Sequence, residues 1–113
     1  MSDCIFCKIV AKEVPSTTEF ENESIIAIKY IAPVAEVHVL IMPKTHVQSV
    51  LEISDSKLMG DMMSVAQGLI KKYGIERGYK LVFNGGKYQA IPHVHWHLLG
   101  GAFNETTDPI HKT

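Results

Sequence analysis

Three histidines alternate with apolar residues in His93-Val94-His95-Trp96-His97-Leu98-Leu99, which is the two-residue period of a β-strand. In that conformation His93, His95 and His97 share one face of a sheet, while Val94, Trp96 and Leu98 turn into a core. Same-face neighbours on a strand stand roughly 7 Å apart, so His95 and His97 can converge on one small group and leave His93 for another purpose. Clustered imidazoles disfavour one another's protonation, and the row is expected to be neutral near about pH 7. A neutral imidazole is a nucleophile. Attack on phosphorus gives a phosphorus–nitrogen intermediate that water then opens, splitting one difficult step into two. The phosphate charge needs donors, for which the turn Asn84-Gly85-Gly86-Lys87 offers backbone N–H groups, Asn84 and Gln89 offer amides, and a second, protonated histidine offers a ring N–H. Plainer readings exist for each part. A single strand histidine is usually a solvated bystander, His-x-His is also a common zinc pattern, and Gly85-Gly86 alone reads equally as a hairpin turn.

The other reactive pair is Cys4 and Cys7, the chain's 2 cysteines. In a reducing compartment Cys-x-x-Cys points to a metal or a redox role rather than a structural disulfide. A redox pair needs a thioredoxin-like setting that is absent here, and the plain alternative is two reduced, buried thiols.

The elements that must position these groups follow from punctuation and period. Ile5 to Val10 forms a short helix or turn that stops before Pro15. A strand around Thr18–Phe20, a polar turn at residues 21–23 and a strand from Ile25 to Ile31 make a hairpin. Between Pro33 and Pro43, Val37 to Met42 reads as a strand with His38, Leu40 and Met42 on one face. Ser54 caps a helix running to about Tyr73, whose stripe Leu58, Met62, Val65, Leu69 and Tyr73 faces a core, and Gly74 stops it. The wide apolar face leaves room for a dimer contact as well. Tyr79 to Phe83 is a further strand, and from Ala102 the tail is irregular, with His111 a bystander. Several antiparallel strands with one long helix make an α+β fold.

A chain of 113 residues holds one domain, 1–113, with a core from about residue 4 to 101. A net charge of −1, without a basic stripe beyond Lys71-Lys72, argues against nucleic acid and for a small ligand. No apolar run approaches the ~20 residues that span a bilayer, and Met1-Ser2-Asp3-Cys4 lacks a basic leader, so a cytoplasmic protein without a membrane partner is expected.

The alternating row resembles the histidine triad family of nucleotide-binding hydrolases and transferases. Cys4-Ile5-Phe6-Cys7-Lys8-Ile9, Pro43-Lys44-Thr45-His46 and Asn84-Gly85-Gly86 stand in the order that family places them, over about residues 4 to 101. The resemblance implies a histidine-triad-like fold, with an antiparallel sheet of about five strands, one long helix and a short N-terminal helix. It is similar to the branch of small nucleoside phosphoramidate hydrolases, homodimers that cleave the bond between a purine nucleotide's α-phosphate and an amine. On that resemblance His95 is the nucleophile, His97 holds the phosphate, His38 orients the set and His93 is the outer member. Ile5, Phe6, Ile9, Ile28, Ile31 and Leu40 fall where the family builds its base pocket, although ordinary core is an equal reading of them. Asn84, Gln89 and Ile91 fall where it touches phosphate and ribose. Many microbial members use the equivalents of Cys4, Cys7, His46 and His93 for a structural zinc, a donor set that suits a tetrahedral ion, and no catalytic metal is required. Loss of that zinc is expected to affect stability more than chemistry.

The chain departs from the branch at four points. Tyr30 stands at an acidic position that grips the ribose, and Ala90 at a serine that can pass a proton to the leaving amine. The turn after Asn84 is shorter, and Pro92 cannot donate a ladder hydrogen bond. These departures keep two alternatives open: dinucleoside polyphosphates, whose leaving group needs less help from a proton donor, and a slowly turning over nucleotide-binding regulatory module.

Overall fold

The structure is a computed structural model that describes residues 3–103. It contains a short helix α1 (Ile5–Val10), strands β1 (Thr18–Glu21), β2 (Ile25–Lys29) and β3 (Ala35–Pro43), a long helix α2 (Ser56–Tyr73), and strands β4 (Tyr79–Val82) and β5 (Trp96–Phe103). The strands form one sheet in the order β1-β2-β3-β5-β4, with every neighbouring pair antiparallel. This is the expected α+β architecture.

Each strand sorts its side chains by face. Ile25, Ala27, Val39, Ile41, Trp96 and Leu98 meet Met62, Val65, Ala66 and Leu69 of α2 in one core. Ile26, Ile28, Leu40 and Met42 meet Phe6 and Ile9 of α1 in a second core on the other face. The stripe assigned to α2 is the one it buries, with Leu58 and Tyr73 partly covered at its ends. Gly74 closes that helix in the left-handed conformation, φ 67°, as a C-terminal glycine does without a Cβ penalty.

Several boundaries differ from the sequence reading. The α2 cap is Asp55, whose carboxylate accepts the Lys57 N–H, one residue beyond Ser54. β2 ends at Lys29, so Tyr30 and Ile31 lie outside it, and β3 is longer than expected because both of its ends pair with a neighbour. β5 begins only at Trp96, leaving His93 and His95 in an irregular lead-in. Pro92 has no N–H, and the Val94 N–H turns aside to the Val47 carbonyl at 2.8 Å, so the lead-in cannot join the ladder. At its other end β5 runs through Gly100 and Gly101 to Phe103, so Ala102 belongs to the sheet and not to the tail. Gly100 packs closely there, since a Cβ would stand 2.5 Å from Ile75 Cδ1 and the Ile75 side chain would have to shift. His111 lies outside the described residues.

Candidate functional site

Register brings the histidines together. β3 pairs with β5 so that Leu40 opposes His97 and His38 opposes Leu99, which sets His38 and His97 on neighbouring strands of one face. The Val34 N–H donates to His38 Nδ1 at 3.1 Å, so the His38 proton resides on Nε2. That proton points at His97 Nδ1, 2.8 Å away. His97 must accept there, which leaves its own proton on Nε2 as an outward donor. His95 has the opposite tautomer: its Nδ1–H donates to the His93 carbonyl at 2.7 Å, and Nε2 keeps a free lone pair. The His95 and His97 rings stand 5.3 Å apart between centroids. One ring thus presents a lone pair and its neighbour an N–H, the combination needed to attack a phosphorus and hold one of its oxygens.

Burial favours the neutral form of both rings. Burial, and then the charges of His95 and His38, push His97 down to about 4. Burial also lowers His95, opposed by its bond to the His93 carbonyl. Desolvation thus works against the second, protonated histidine expected beside His95, and favours His97 as a neutral N–H donor.

The remaining assigned positions separate into three groups. Phe6, Ile9, Ile28 and Leu40 are buried together in the α1 core, with Ile91 and Tyr30 packed partly against them. Ile5 is half exposed and Ile31 is 96 % exposed, because the chain leaves β2 before reaching it. The Phe6 ring meets His95 edge-on at 5.0 Å, and the Tyr30 ring lies 4.6 Å from His38 and 5.8 Å from His97. Tyr30 and Ile31, with Pro15, Ser16 and Thr17, line a cleft of 470 Å³. Asn84 and Ala90 are exposed. Gln89 is not a free donor: its amide is committed to the Gln48 carbonyl at 2.6 Å and the Ile91 carbonyl at 2.9 Å, and so ties the 84–91 loop to the loop after β3. A larger groove of 580 Å³ between β1 and α2 lies on the face of the sheet opposite the histidines.

A second cluster gathers Cys4 and Cys7 from the start of α1, His46 from the loop after β3 and the fully buried His93, with all four ligand atoms within 4.8 Å of one another. Cys4 Sγ lies 3.4 Å and Cys7 Sγ 3.6 Å from His93 Nδ1, and Cys7 Sγ lies 3.2 Å from His46 Nδ1. Zinc bonds of ~2.3 Å to sulfur and ~2.1 Å to nitrogen separate tetrahedral ligands by roughly 3.5–3.8 Å, so these distances suit the ion. The His93 Nε2–H donates to the Pro43 carbonyl at 2.8 Å, which orients the ring and leaves Nδ1 as a lone pair toward the thiols. Burial, then the Cys4 hydrogen bond and charge, raise the Cys7 thiol. A divalent cation would reverse that, because coordination deprotonates thiols. A pocket of 330 Å³ lined by Cys4, Ile5, His46, Ile91 and Pro92 gives access. The residues fit zinc.

Three partners of this site had no signature in the sequence: the Val34 N–H and the carbonyls of Pro43 and His93. Main-chain groups are the same in every residue, and only the fold decides where they point.

The HIT domain family matches residues 11–104. Protein HitA of Neisseria gonorrhoeae is 38% identical over 104 residues, covering 88% of this chain and 97% of that protein. A 14 kDa zinc-binding protein of Zea mays is 39% identical over 106 residues, covering 88% and 83%. Among solved structures, a HIT family hydrolase from Clostridium thermocellum superposes with a TM-score of 0.86 at 45% identity, covering 90% of this chain and 93% of that one. A histidine triad nucleotide-binding protein from Candida albicans gives a TM-score of 0.80 at 34% identity, covering 85% and 73%. With this fold and this row of histidines, the chain belongs to the HIT domain family.

Proposed function

We propose that this protein is a nucleotide-binding hydrolase that cleaves purine nucleoside phosphoramidates, or related nucleotidyl conjugates, at the α-phosphate through a nucleotidyl-His95 intermediate. The single observation that carries the reading is the opposed tautomers of His95 and His97 side by side. His95 Nε2 attacks phosphorus as the bond to the amine breaks, and the amine leaves with that electron pair and a proton from solvent. The charge this puts on the His95 ring is shared with the His93 carbonyl through Nδ1–H. Water then attacks phosphorus, the bond to Nε2 breaks and returns its pair to the ring, and AMP and a proton are released. His97 Nε2–H donates to a phosphate oxygen throughout, held in place by the Val34–His38 chain. Zinc at Cys4, Cys7, His46 and His93 would act as a structural cross-link. The named hydrolase and nucleotide-binding neighbours support the class of activity.

Three further parts of the reading rest on the same frame. Ile5, Phe6, Ile9, Ile28, Ile31 and Leu40 would meet the base, with Tyr30, Asn84, Gln89, Ala90 and Ile91 near ribose and phosphate. The exposed edge of β4, with Tyr79 on it, Phe83 just past its end and Met59 and Met63 on the surface of α2, supports a homodimer. A single domain in the cytoplasm is the third part, resting on the Cys-x-x-Cys pair, which suits a reducing compartment.

Ala90 favours one alternative, because a phosphate leaving group departs without the proton a serine hydroxyl would pass. Steady-state turnover on matched adenosine phosphoramidates and dinucleoside polyphosphates decides. Faster hydrolysis of the phosphoramidates is expected, equal or reversed preference selects the polyphosphates, and negligible turnover of both selects a binding module.

The pH profile follows from His97. Its neutral form is the one hydrogen-bonded to His38, and the groups facing it are His38, His95 and the Tyr30 ring. Because its pKa is lowered to about 4, protonation and rupture of that bond come only on strong acidification. The acid limb of kcat/KM assigned to this bond should fall toward pH 4 and not near the ordinary ~6.5 of histidine. Rates with zinc-saturated protein test this, and a limb near the ordinary value would remove His97 from the free-enzyme profile.

Tyr30 sets ribose selectivity. Its ring lies against His38 and His97, and a phenol cannot accept two hydrogen bonds as a carboxylate does. AMP and 2′-deoxy-AMP should bind within roughly tenfold of each other, or ~1.4 kcal/mol. Titration calorimetry showing a larger preference for AMP would mean that another group reads the hydroxyl.

A further inference from the structure

His93 belongs to both clusters. Its ring faces the thiols through Nδ1 and is anchored to the Pro43 carbonyl through Nε2, while its own carbonyl takes the Nδ1–H of His95. Its N–H is bound to the Ile91 carbonyl at 2.8 Å, and the next residue's N–H to Val47, one position after His46. The peptide that orients His95 is thus carried by a side chain held in the Cys/His cluster. A second link runs through α1. Phe6, between the two cysteines, meets His93 at 5.8 Å and His95 at 5.0 Å. Among the described residues, no backbone hydrogen bond joins residues 4–14 to the sheet. Apolar packing, the Lys12–Glu21 ion pair and the Cys/His cluster are what set the position of α1.

We infer that the Cys4/Cys7/His46/His93 centre, when it holds a metal, positions the His95 ring through the His93 carbonyl and the Phe6 edge, with His93 and Phe6 as positioning residues. The inference rests on the reading of His95 as the residue that becomes nucleotidylated. A metal at the four ligands fixes His93 at the ring, and a ring fixed at Nδ1 and Nε2 holds the peptide that follows it. Losing the metal frees α1 and His93 together. The His93 carbonyl can then turn, and the Nδ1–H form of His95, which leaves Nε2 open for attack, is no longer selected. Loss of metal then reaches the chemistry as well as stability.

The test uses the full chain, ¹⁵N-labelled, in zinc-loaded, cadmium-loaded and metal-free forms. Imidazole nitrogen NMR reads the His95 tautomer, and circular dichroism checks that the fold is unchanged. In the zinc form the proton should reside on Nδ1. In the metal-free form it should be shared between the two nitrogens, and the larger cadmium ion should shift both His95 nitrogen resonances. Nucleotidylation measured by rapid quench should slow about tenfold without metal, the scale at which groups behind a site tune its ligands. His95 nitrogens at the same positions in all three forms would overturn the inference. If the metal-free chain unfolds, the comparison of zinc with cadmium decides alone. A metal-dependent tautomer without any adduct would sink nucleotidyl transfer and leave the positioning role intact. An adduct that forms equally fast with unmoved resonances would do the reverse.

Discussion

His95→Ala should lower kcat on the order of 10⁴-fold, about 5.5 kcal/mol of transition-state stabilisation, and leave AMP affinity within a few-fold of the original. The two halves of that expectation have separate sources. The free lone pair on Nε2 is the attacking group, and the methyl of alanine replaces it with nothing. The groups that would hold the nucleotide remain: the His97 Nε2–H with the Val34–His38 chain behind it, and the apolar surface around Phe6 and Ile28. His97→Ala differs in kind, since it removes a donor used in ground and transition states alike and should weaken both binding and rate, the rate by roughly 10²- to 10³-fold. The decisive observation is a mass increment of one nucleoside monophosphate on the peptide carrying residues 93 to 97, seen in the original protein and missing in His95→Ala. Near-normal turnover in that variant, or an adduct on another peptide, would end the nucleophile assignment while leaving the fold untouched.

Much of this was legible because period and punctuation are local. The stripe on α2 and the alternation from Val94 to Leu98 each specify a face without knowledge of what lies across it, and both are buried as read. The stop at Gly74 is equally local, since only a residue without a Cβ turns left-handed there at little cost. What could not be read depends on partners distant in the chain. Whether an extended segment counts as strand depends on who receives its N–H groups, and the Val94 N–H goes to Val47, so His93 and His95 precede β5 despite their alternation. The protonation of His97 is a matter of how much water the neighbouring strands exclude, which no spacing reveals. Gln89 shows the same limit: its amide reads as a phosphate donor in the sequence and in the fold bridges two loops. The metal set was legible only through resemblance, because Cys4 and Cys7 are separated from His46 and His93 by chain lengths that only the closure of α1 onto the end of β3 brings together.

That closure makes the second large effect a matter of stability. Protein expressed with zinc supplied should carry one equivalent per chain, and Cys4→Ser with Cys7→Ser should carry almost none. A ligand that binds the native but not the unfolded chain adds RT ln(1 + [L]/Kd), about 4 kcal/mol at a thousandfold excess over Kd. In zinc-finger peptides that lack a core, zinc contributes on the order of 10 kcal/mol. Here two cores already hold the sheet to α1 and α2, so the smaller figure applies. For a domain of this size 1 kcal/mol moves Tm by roughly 4–8 °C, so zinc removal should lower Tm by roughly 15–30 °C. The loss should be concentrated at α1, whose ties to the sheet are side chains, and amide exchange of residues 5–10 should accelerate before that of β3 or β5. Elemental analysis together with thermal unfolding of zinc-loaded, chelator-treated and serine-substituted protein checks each part. Zinc content below a small fraction of an equivalent in the original chain would reduce the cluster to four neighbouring side chains. A full equivalent whose removal leaves Tm unchanged would mean that α1 is held by Phe6 and Ile9 without help from the ion.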